Sequence, residues 1–290
     1  MDLVEIFLKQ IVLNMVESDF EEVFEIMNRG LTNVTNDMTI TPSSWLGGSV
    51  WGFMEQIYSN VMIPVAALIL TFILTVEIYH VVIERNAMKE IEMSALFMIF
   101  FKLIFGILIV SHASVIVSGL FDIGNWAVEQ TMGIVPIAVN GPSGMAAQLK
   151  NNLDTRYGLG PIFGFWFTLS ITKLIAHAIN IIARVVVYGR LLQMVLYACF
   201  SPVPLATFMN KDWNVGQNYI KSLLALAFQG FLIVFIFGVY SIVVATPNIN
   251  VTGGLADISV SFVGHIGWGV LLCMSLTKTN SITQSIFGAH

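Results

Sequence analysis

Charged side chains are scarce in this sequence of 290 residues. Asp, Glu, Lys and Arg together make up 11% of it, whereas soluble globular chains carry about 25%. Hydrophobic residues make up 56%, and the mean hydropathy is +0.81. This composition excludes an ordinary water-soluble domain and predicts a polytopic membrane protein.

Cysteine is nearly absent. Cys199 and Cys273 both lie inside apolar runs, so they offer neither a disulfide framework nor a metal-ligand spacing. We interpret both as small packing residues. The opening residues also lack the basic region and cleavage site of a secretory signal, so we expect the membrane spans themselves to direct insertion.

Motifs for catalysis are missing as well. The sequence contains no paired carboxylates, no metal-ligand cluster, no P-loop and no G-x-S-x-G elbow. It also has no basic patch with interleaved aromatic residues of the kind that binds nucleic acid. We therefore expect no enzymatic activity and no cofactor, and any step driven by ATP would belong to a partner protein.

The first 30 residues are acidic and amphipathic. Apolar residues recur at helical spacing at Val4, Leu8, Ile11 and Met15. Acidic residues far outnumber basic ones here and largely account for the net charge of −5. We predict an amphipathic helix over 1–30, ended by Gly30, and a loop over 31–55. The apolar face could cover partner subunits or the bilayer interface, or pack on its own domain.

Residues 56–290 are predicted to form an all-α transmembrane domain with about five spans. The apolar segments are Gln56–Val82, Ser94–Leu120, 160–208, Tyr219–Ala245 and Val260–Thr277. The segment 160–208 is about twice as long as one helix needs to cross a core of about 30 Å, so we predict a turn near Gly189. Residues 121–159 are predicted to form the long external loop.

Two prolines interrupt the end of this long segment. Pro202 and Pro204 are expected to stop the helix, and a turn with Trp213 follows. A broken helix at membrane depth must be surrounded by protein or by a water-filled cavity. We therefore predict a re-entrant segment interior to an assembly, with a full crossing by Leu191–Phe208 as the alternative. The Lys and Arg distribution favours an external N-terminus and a cytoplasmic C-terminus in the cell membrane.

Polar and basic residues line one face of the third span. Steps of three and four residues separate Ser170, Lys173, His177, Asn180 and Arg184. A charge at the centre of a span costs at least about 2.5 to 3.5 kcal/mol, so these charges mark a cavity, an ion pair or a subunit contact. They could form a cationic conduit, or Lys173 could pair with a carboxylate of another span while Arg184 reaches the headgroups.

A further cation, Lys102, lies in the second span and has no obvious acidic neighbour in the sequence. Glu77 and His80 are expected to reach the interface or to pair with Arg85 or Lys89. Three more residues are predicted to serve contacts between helices, one by hydrogen bonding and two by allowing close approach. They are Gln229, Gly264 and Gly267.

The segments around the proline break resemble a known family. Residues 201–208 read S-P-V-P-L-A-T-F, and 218–229 read N-Y-I-K-S-L-L-A-L-A-F-Q after a tryptophan-containing turn. With the order of spans, this pattern is similar to the TrbL-like channel subunits of type IV secretion and conjugation machines, especially those of Gram-positive conjugative elements. Many relatives carry long hydrophilic C-terminal extensions, whereas this sequence stops about a dozen residues after its last predicted span. We expect the role of such extensions to be absent here or supplied by another protein.

The resemblance implies a homo-oligomeric membrane subunit that helps single-stranded DNA and its relaxase across the membrane. Its implied partners are secretion ATPases and pilin-like or cell-wall-facing subunits, and the loop 121–159 is implicated in substrate handling. The alternative is a small-solute transporter or permease subunit. Such transporters often have paired broken helices in two repeated halves, whereas this sequence has one break.

Overall fold

The computed structural model describes residues 3–80, 93–135, 144–208, 210, 213–245 and 251–289. Within these ranges the regular structure is helical and contains no strand, which confirms the all-α prediction. The helices are α1 (Leu3–Met38), α2 (Ser49–Ile57), α3 (Ile63–Tyr79), α4 (Met93–Ser111), α5 (Ala113–Met132), α6 (Met145–Arg156), α7 (Leu159–Phe200), α8 (Pro202–Ala206), α9 (Val215–Ala245) and α10 (Leu255–Phe287).

In the part of the chain that the structure describes, four helical stretches are long and apolar enough to cross a membrane, which confirms a polytopic membrane protein. They are Trp45–Tyr79, Leu159–Phe200, Val215–Val244 and Leu255–Phe287. A fifth candidate is the pair Phe97–Ser111 and Ala113–Met132, which is bent by 62° at its break. The first stretch joins α2 to α3 through a π-helical turn at Tyr58–Met62.

The chain divides into two compact units. Unit 1 comprises Met1–Thr39, Glu129–Tyr188 and Leu232–Thr279, and unit 2 comprises the intervening segments and the C-terminal end. Because the boundaries fall inside α5, α7, α9 and α10, several long helices contribute residues to both units. Unit 1 contains most of the predicted cationic face, and unit 2 contains the proline break.

Unit 1 is built around the apolar face of α1. The ring of Phe20 stacks on that of Phe262 in α10 with centroids 5.3 Å apart, and Phe24 packs edge-on against the same ring. Leu13 and Val16 on the same face are fully buried. This buried face of α1 packs inside its own unit, but it is not the apolar face that the sequence analysis identified. The residues of that predicted face are exposed; they are Val4, Leu8, Ile11 and Met15. Their contact with partner subunits or the bilayer interface therefore stays a prediction.

Unit 2 has a core formed by α2, α5, α9 and the end of α7. Phe121, Met194 and Leu223 are among its fully buried residues. Two tyrosines satisfy their hydroxyl groups locally. The buried Tyr58 accepts the Ser114 backbone N–H at 3.1 Å, and the half-buried Tyr219 donates to the Tyr197 carbonyl at 2.5 Å. These bonds fix helix positions within an otherwise apolar core.

The helix break lies where the sequence predicts it. α7 ends at Phe200, and the short helix α8 begins at Pro202, so the prolines occupy a first turn in which no backbone donor is needed. Ser201 and Ala206 are fully buried, and α8 packs against α3 and α4. The chain itself thus encloses the interrupted backbone, so enclosure of the break does not require sister copies.

Two long helices continue where the sequence analysis placed ends. α1 runs through Met38, because Gly30 keeps helical geometry and serves as a contact point instead of a stop. α7 runs without a turn through Gly189. Its 42 residues span about 63 Å at about 1.5 Å each, whereas the hydrocarbon core of a membrane is about 30 Å thick. The predicted turn is therefore replaced by a continuous helix that extends beyond the hydrocarbon core.

The predicted second span and external loop are also arranged differently. α4 ends at Ser111, and α5 continues through Met132 into the region 121–159. That region also contains α6, so much of it is helical. Arg85 and Lys89, the expected partners of Glu77 and His80, lie outside the described residues.

Candidate functional site

The polar face of α7 adjoins α1 in unit 1. Ser170, Lys173 and Asn180 are half-buried, whereas His177 and Arg184 are exposed. Ser170 donates its hydroxyl to the Trp166 carbonyl of its own helix at 3.1 Å. The helical spacing found in the sequence therefore brings these residues to one region, but their environments differ.

Lys173 forms ion pairs with two carboxylates of α1. Its Nζ lies 3.1 Å from Asp19 Oδ1 and also contacts the Glu22 carboxylate. Both the Lys173 and the Asp19 side chains are largely covered, with exposed fractions of 28% and 16%. Charges this poorly solvated attract each other more strongly than they would in water, so the group ties α7 to α1.

Asn180 makes a second contact between the same helices. Its side-chain amide nitrogen donates to the Ile26 carbonyl at 2.7 Å. The absence of a side chain at Gly30 allows this approach, because a Cβ there would lie 1.8 Å from Asn180 Oδ1. The contacts advance along both helices in the same direction, so α1 and α7 run parallel here.

Charged side chains of α1 also bind α6. Glu17 pairs with Lys150 at 2.7 Å, and Lys9 pairs with Asp154 at 2.9 Å. Since the order of the partners is reversed, α1 and α6 run antiparallel. Three acidic side chains of α1 are thus paired with Lys150 of α6 and Lys173 of α7. The sequence indicates this pairing of helices by a surplus of acidic residues in one helix and of basic residues in another.

An open cleft of about 260 Å³ lies between α1 and α7 beyond Asn180. We call it the α1–α7 cleft. Its lining residues are Ile26, Arg29, Gly30, Asn33, His177, Asn180, Ile181 and Arg184. Arg29 pairs with Glu25 one turn earlier at 3.3 Å, and Arg184 forms no ion pair with any residue that the structure describes. The cleft therefore combines two guanidinium groups with side-chain amides and apolar surface.

Lys102 has an acidic partner that the sequence analysis did not identify. Its Nζ contacts Glu77 Oε1, so α4 is paired to α3 in unit 2. Both side chains are about 70% covered, with exposed fractions of 26% and 30%. The Lys102 charge is therefore neutralised by a residue of the same chain, although no acidic neighbour was evident in the sequence.

The residues of the helix break lie together in unit 2. Pro202 is buried and Pro204 half-buried in α8. Trp213 follows in a turn, with its ring 6.5 Å from that of Phe72 in α3. The break thus forms a packed corner against α3.

The three predicted packing residues have different surroundings. Gln229 is buried, with an exposed fraction of 4%. A Cβ at Gly264 or Gly267 would meet nothing within 4 Å among the described residues. A role for these glycines in close helix contacts therefore stays a prediction.

One buried cation was missed in the sequence analysis. Arg190 is 2% exposed and donates to the Leu226 and Ala227 carbonyls of α9, each at 3.4 Å. Gly230 makes room for the guanidinium group, because a Cβ there would lie 2.7 Å from its Cζ. The signal available in the sequence was Gly230, a glycine on the helix that faces Arg190. Spacing along one segment, however, does not identify the segment that packs against it.

The family model described as "TrbL/VirB6 plasmid conjugal transfer like protein" matches residues 27–202. The chain belongs to this family. The match extends from the last third of α1 to the start of α8. It includes Asn180, Gly30 and every residue that lines the α1–α7 cleft of this TrbL/VirB6-family chain except Ile26. No curated protein and no solved structure matches the chain.

Membership in the TrbL/VirB6 family makes this chain a membrane subunit of a type IV secretion or conjugation machine. Apart from the Arg29–Glu25 pair within α1, its described ion pairs join helices of one chain, as Lys173 does in unit 1 and Lys102 in unit 2. Such pairs can hold a helical bundle together. They leave the α1–α7 cleft as a cationic surface of the TrbL/VirB6-family chain that is open to a ligand.

Proposed function

We propose that this chain is a scaffold subunit of a conjugative DNA-transfer machine and helps single-stranded DNA and its relaxase cross the membrane. Family membership supports the type of machine. The pairing of Lys173 with Asp19 and Glu22 carries the scaffold role. A cation that lined a conduit would face the substrate, whereas this one is engaged by the chain's own carboxylates.

Large apolar surfaces support an assembly in lipid. Phe97 and Phe101 on α4 are 77% and 67% exposed, and Leu174 on α7 is 70% exposed. Hydrocarbon, further copies of this chain or other subunits would cover such side chains. We propose a homo-oligomer that contacts secretion ATPases on the cytoplasmic side and pilin-like or cell-wall-facing subunits outside, as in Gram-positive conjugative elements.

We also propose an orientation of the chain in the membrane and a source of energy for transfer. The N-terminus and the region 121–159 would lie outside, and the C-terminus would lie in the cytoplasm, as the Lys and Arg distribution favours. The chain would perform no catalysis, and partner ATPases would supply the energy. Labelling of single cysteines introduced at Lys150 and Lys278 tests the orientation, because an impermeant reagent should reach only position 150 from outside.

The experiment that tests the scaffold role is crosslinking of DNA during transfer. Donor cells that lack the native gene would carry the chain with a photoreactive residue at His177 on the polar face of α7, or at Gln148 on α6 in the predicted external loop. Both side chains are exposed. We expect transfer to continue with no DNA crosslink at position 177, and a crosslink at 148 if the loop handles the substrate.

A strong DNA crosslink at position 177 would overturn the scaffold role and favour a conduit lined by the polar face of α7. Transfer that continues at full frequency without the gene would remove the proposed function altogether. Loss of the uptake of a small solute, with DNA transfer intact, would support the transporter alternative.

A further inference from the structure

The α1–α7 cleft has cationic groups available for an anionic ligand. Arg184 forms no ion pair with the described residues, and the Arg29–Glu25 pair is solvent-exposed, with both side chains about 60% exposed. An exposed pair within one helix is weak, so Arg29 can turn to a second anion at little cost. Two guanidinium groups that converge on one cleft are suited to the oxygens of a phosphate.

Polar groups add hydrogen-bond donors to these charges. His177 is exposed on α7, and Asn33 is exposed on α1. The amide nitrogen of Asn180 is already used by the Ile26 carbonyl, so this residue fixes the floor of the cleft. The available donors therefore come from both helices and surround the same space.

The cleft also lies where polar and apolar exposed surfaces meet. On α1 the exposed side chains nearby are polar, as at Glu25, Arg29 and Asn33. On α7 they are largely apolar, with Ile181 63% and Val185 65% exposed. In a membrane protein this boundary corresponds to the level of the lipid headgroups, because the apolar side chains face acyl chains.

We propose that the α1–α7 cleft binds the phosphate of an anionic phospholipid headgroup. Arg29 and Arg184 contact the phosphate oxygens, His177 and Asn33 complete the polar wall, and the acyl chains run along Ile181 and Val185. A volume of about 260 Å³ accommodates a compact headgroup. Basic clefts between helices are a known mode of recognition of such headgroups. This inference goes beyond the proposed scaffold role and does not depend on it.

The test is lipid retention by the full chain in nanodiscs of phosphatidylcholine, with and without phosphatidylglycerol. After detergent extraction, native mass spectrometry counts the lipids that stay bound. We expect preferential retention of phosphatidylglycerol by the natural chain. Each basic group near an anionic headgroup contributes about fivefold, so Arg29→Gln with Arg184→Gln should lower retention about 25-fold.

A matched control removes two exposed cations elsewhere, Lys221→Gln with Lys278→Gln. This control should retain phosphatidylglycerol like the natural chain, and Arg184→Lys should keep most of the binding. Equal retention of the two lipids by the natural chain, or an equal loss in the control variant, would overturn the proposal. Circular dichroism of each variant checks that the helices are intact. If the double variant does not fold, the single variant Arg184→Gln provides the answer, with an expected loss of about fivefold against Arg184→Lys.

Two competitors separate the sources of the phosphate. Inorganic phosphate should not displace the lipid, because it lacks acyl chains to contact Ile181 and Val185; displacement would make this a site for free phosphate. An oligothymidylate should not bind in an Arg29- and Arg184-dependent manner. If it does so and displaces phosphatidylglycerol, the cleft is a DNA groove and the lipid proposal is overturned.

Discussion

Asn180 occupies the space that a side chain at Gly30 would need. A Cβ at position 30 would lie 1.8 Å from Asn180 Oδ1, and the Asn180 amide nitrogen is held by the Ile26 carbonyl at 2.7 Å. The asparagine cannot move aside without losing this hydrogen bond. The parallel packing of α1 on α7 therefore depends on a glycine in one helix and an amide in the other.

Gly30→Ala should destabilise the protein by about 1 to 3 kcal/mol, since the new methyl group displaces Asn180 and leaves the Ile26 contact unmade. Thermal unfolding of the detergent-purified chain, followed by circular dichroism, measures the change.

Gly164→Ala in α7 is the control, because a Cβ there meets nothing within 4 Å of the described structure. It should leave the melting temperature unchanged or raise it. Asn180→Ala combined with Gly30→Ala should recover part of the loss. If Gly30→Ala and Gly164→Ala have the same melting temperature, the close approach of Gly30 to Asn180 does not constrain the residue at position 30.

Lys173→Ala should destabilise unit 1, because it leaves the Asp19 and Glu22 carboxylates side by side without their cation. A fully buried pair that loses one partner costs about 3 to 5 kcal/mol. Lys173 is 28% exposed, so about 1 to 2 kcal/mol is expected here. The measurement is chemical or thermal unfolding in detergent, together with the amount of chain that remains in the membrane complex.

The control for Lys173→Ala is the neutral combination Lys173→Met, Asp19→Asn and Glu22→Gln. It should be more stable than Lys173→Ala, because no unpaired carboxylate remains. Lys278→Ala, which removes an exposed cation, should have little effect. A Lys173→Ala chain that is stable and assembled but unable to support DNA transfer would instead indicate a cationic conduit.

The periodicity of single helices could be predicted from the sequence, and their partners could not. Spacing placed Lys173 and Asn180 on one face of α7, and the structure brings both to α1. The partner of Lys102 is Glu77, which lies 25 residues away in another helix. Hydropathy contains no information on which spans are neighbours, so the Lys102–Glu77 ion pair could not be predicted from the sequence.

Helix ends were predicted well only where covalent geometry determines them. The prolines end α7 at Phe200 because a proline cannot occupy a helix interior without loss of a backbone bond. Gly30 and Gly189 have no such effect, because glycine is tolerated in a helix when packing favours it. α1 and α7 therefore continue past both glycines.

Arg190→Met should leave the stability unchanged or increase it. The guanidinium is buried with no carboxylate among its described partners, and it donates only to the Leu226 and Ala227 carbonyls at 3.4 Å. Methionine removes the desolvated charge and keeps most of the volume. A melting temperature well below that of the natural chain would contradict this expectation. A stable Arg190→Met chain that fails to support DNA transfer would identify the charge as functional.

Gly124→Ala should lower the free energy of unfolding more than Gly30→Ala, Gly164→Ala or Gly119→Ala, and its effect falls on unit 2. A Cβ at position 124 would lie 2.4 Å from the Ala227 carbonyl oxygen, and a backbone atom cannot turn aside as a side chain does. α5 and α9 would have to separate, at a cost of about 1 to 3 kcal/mol or more. Gly119→Ala on the same helix meets nothing within 4 Å and is the matched control. Thermal unfolding should separate the two variants, and equal melting temperatures would mean that α5 does not approach α9 this closely.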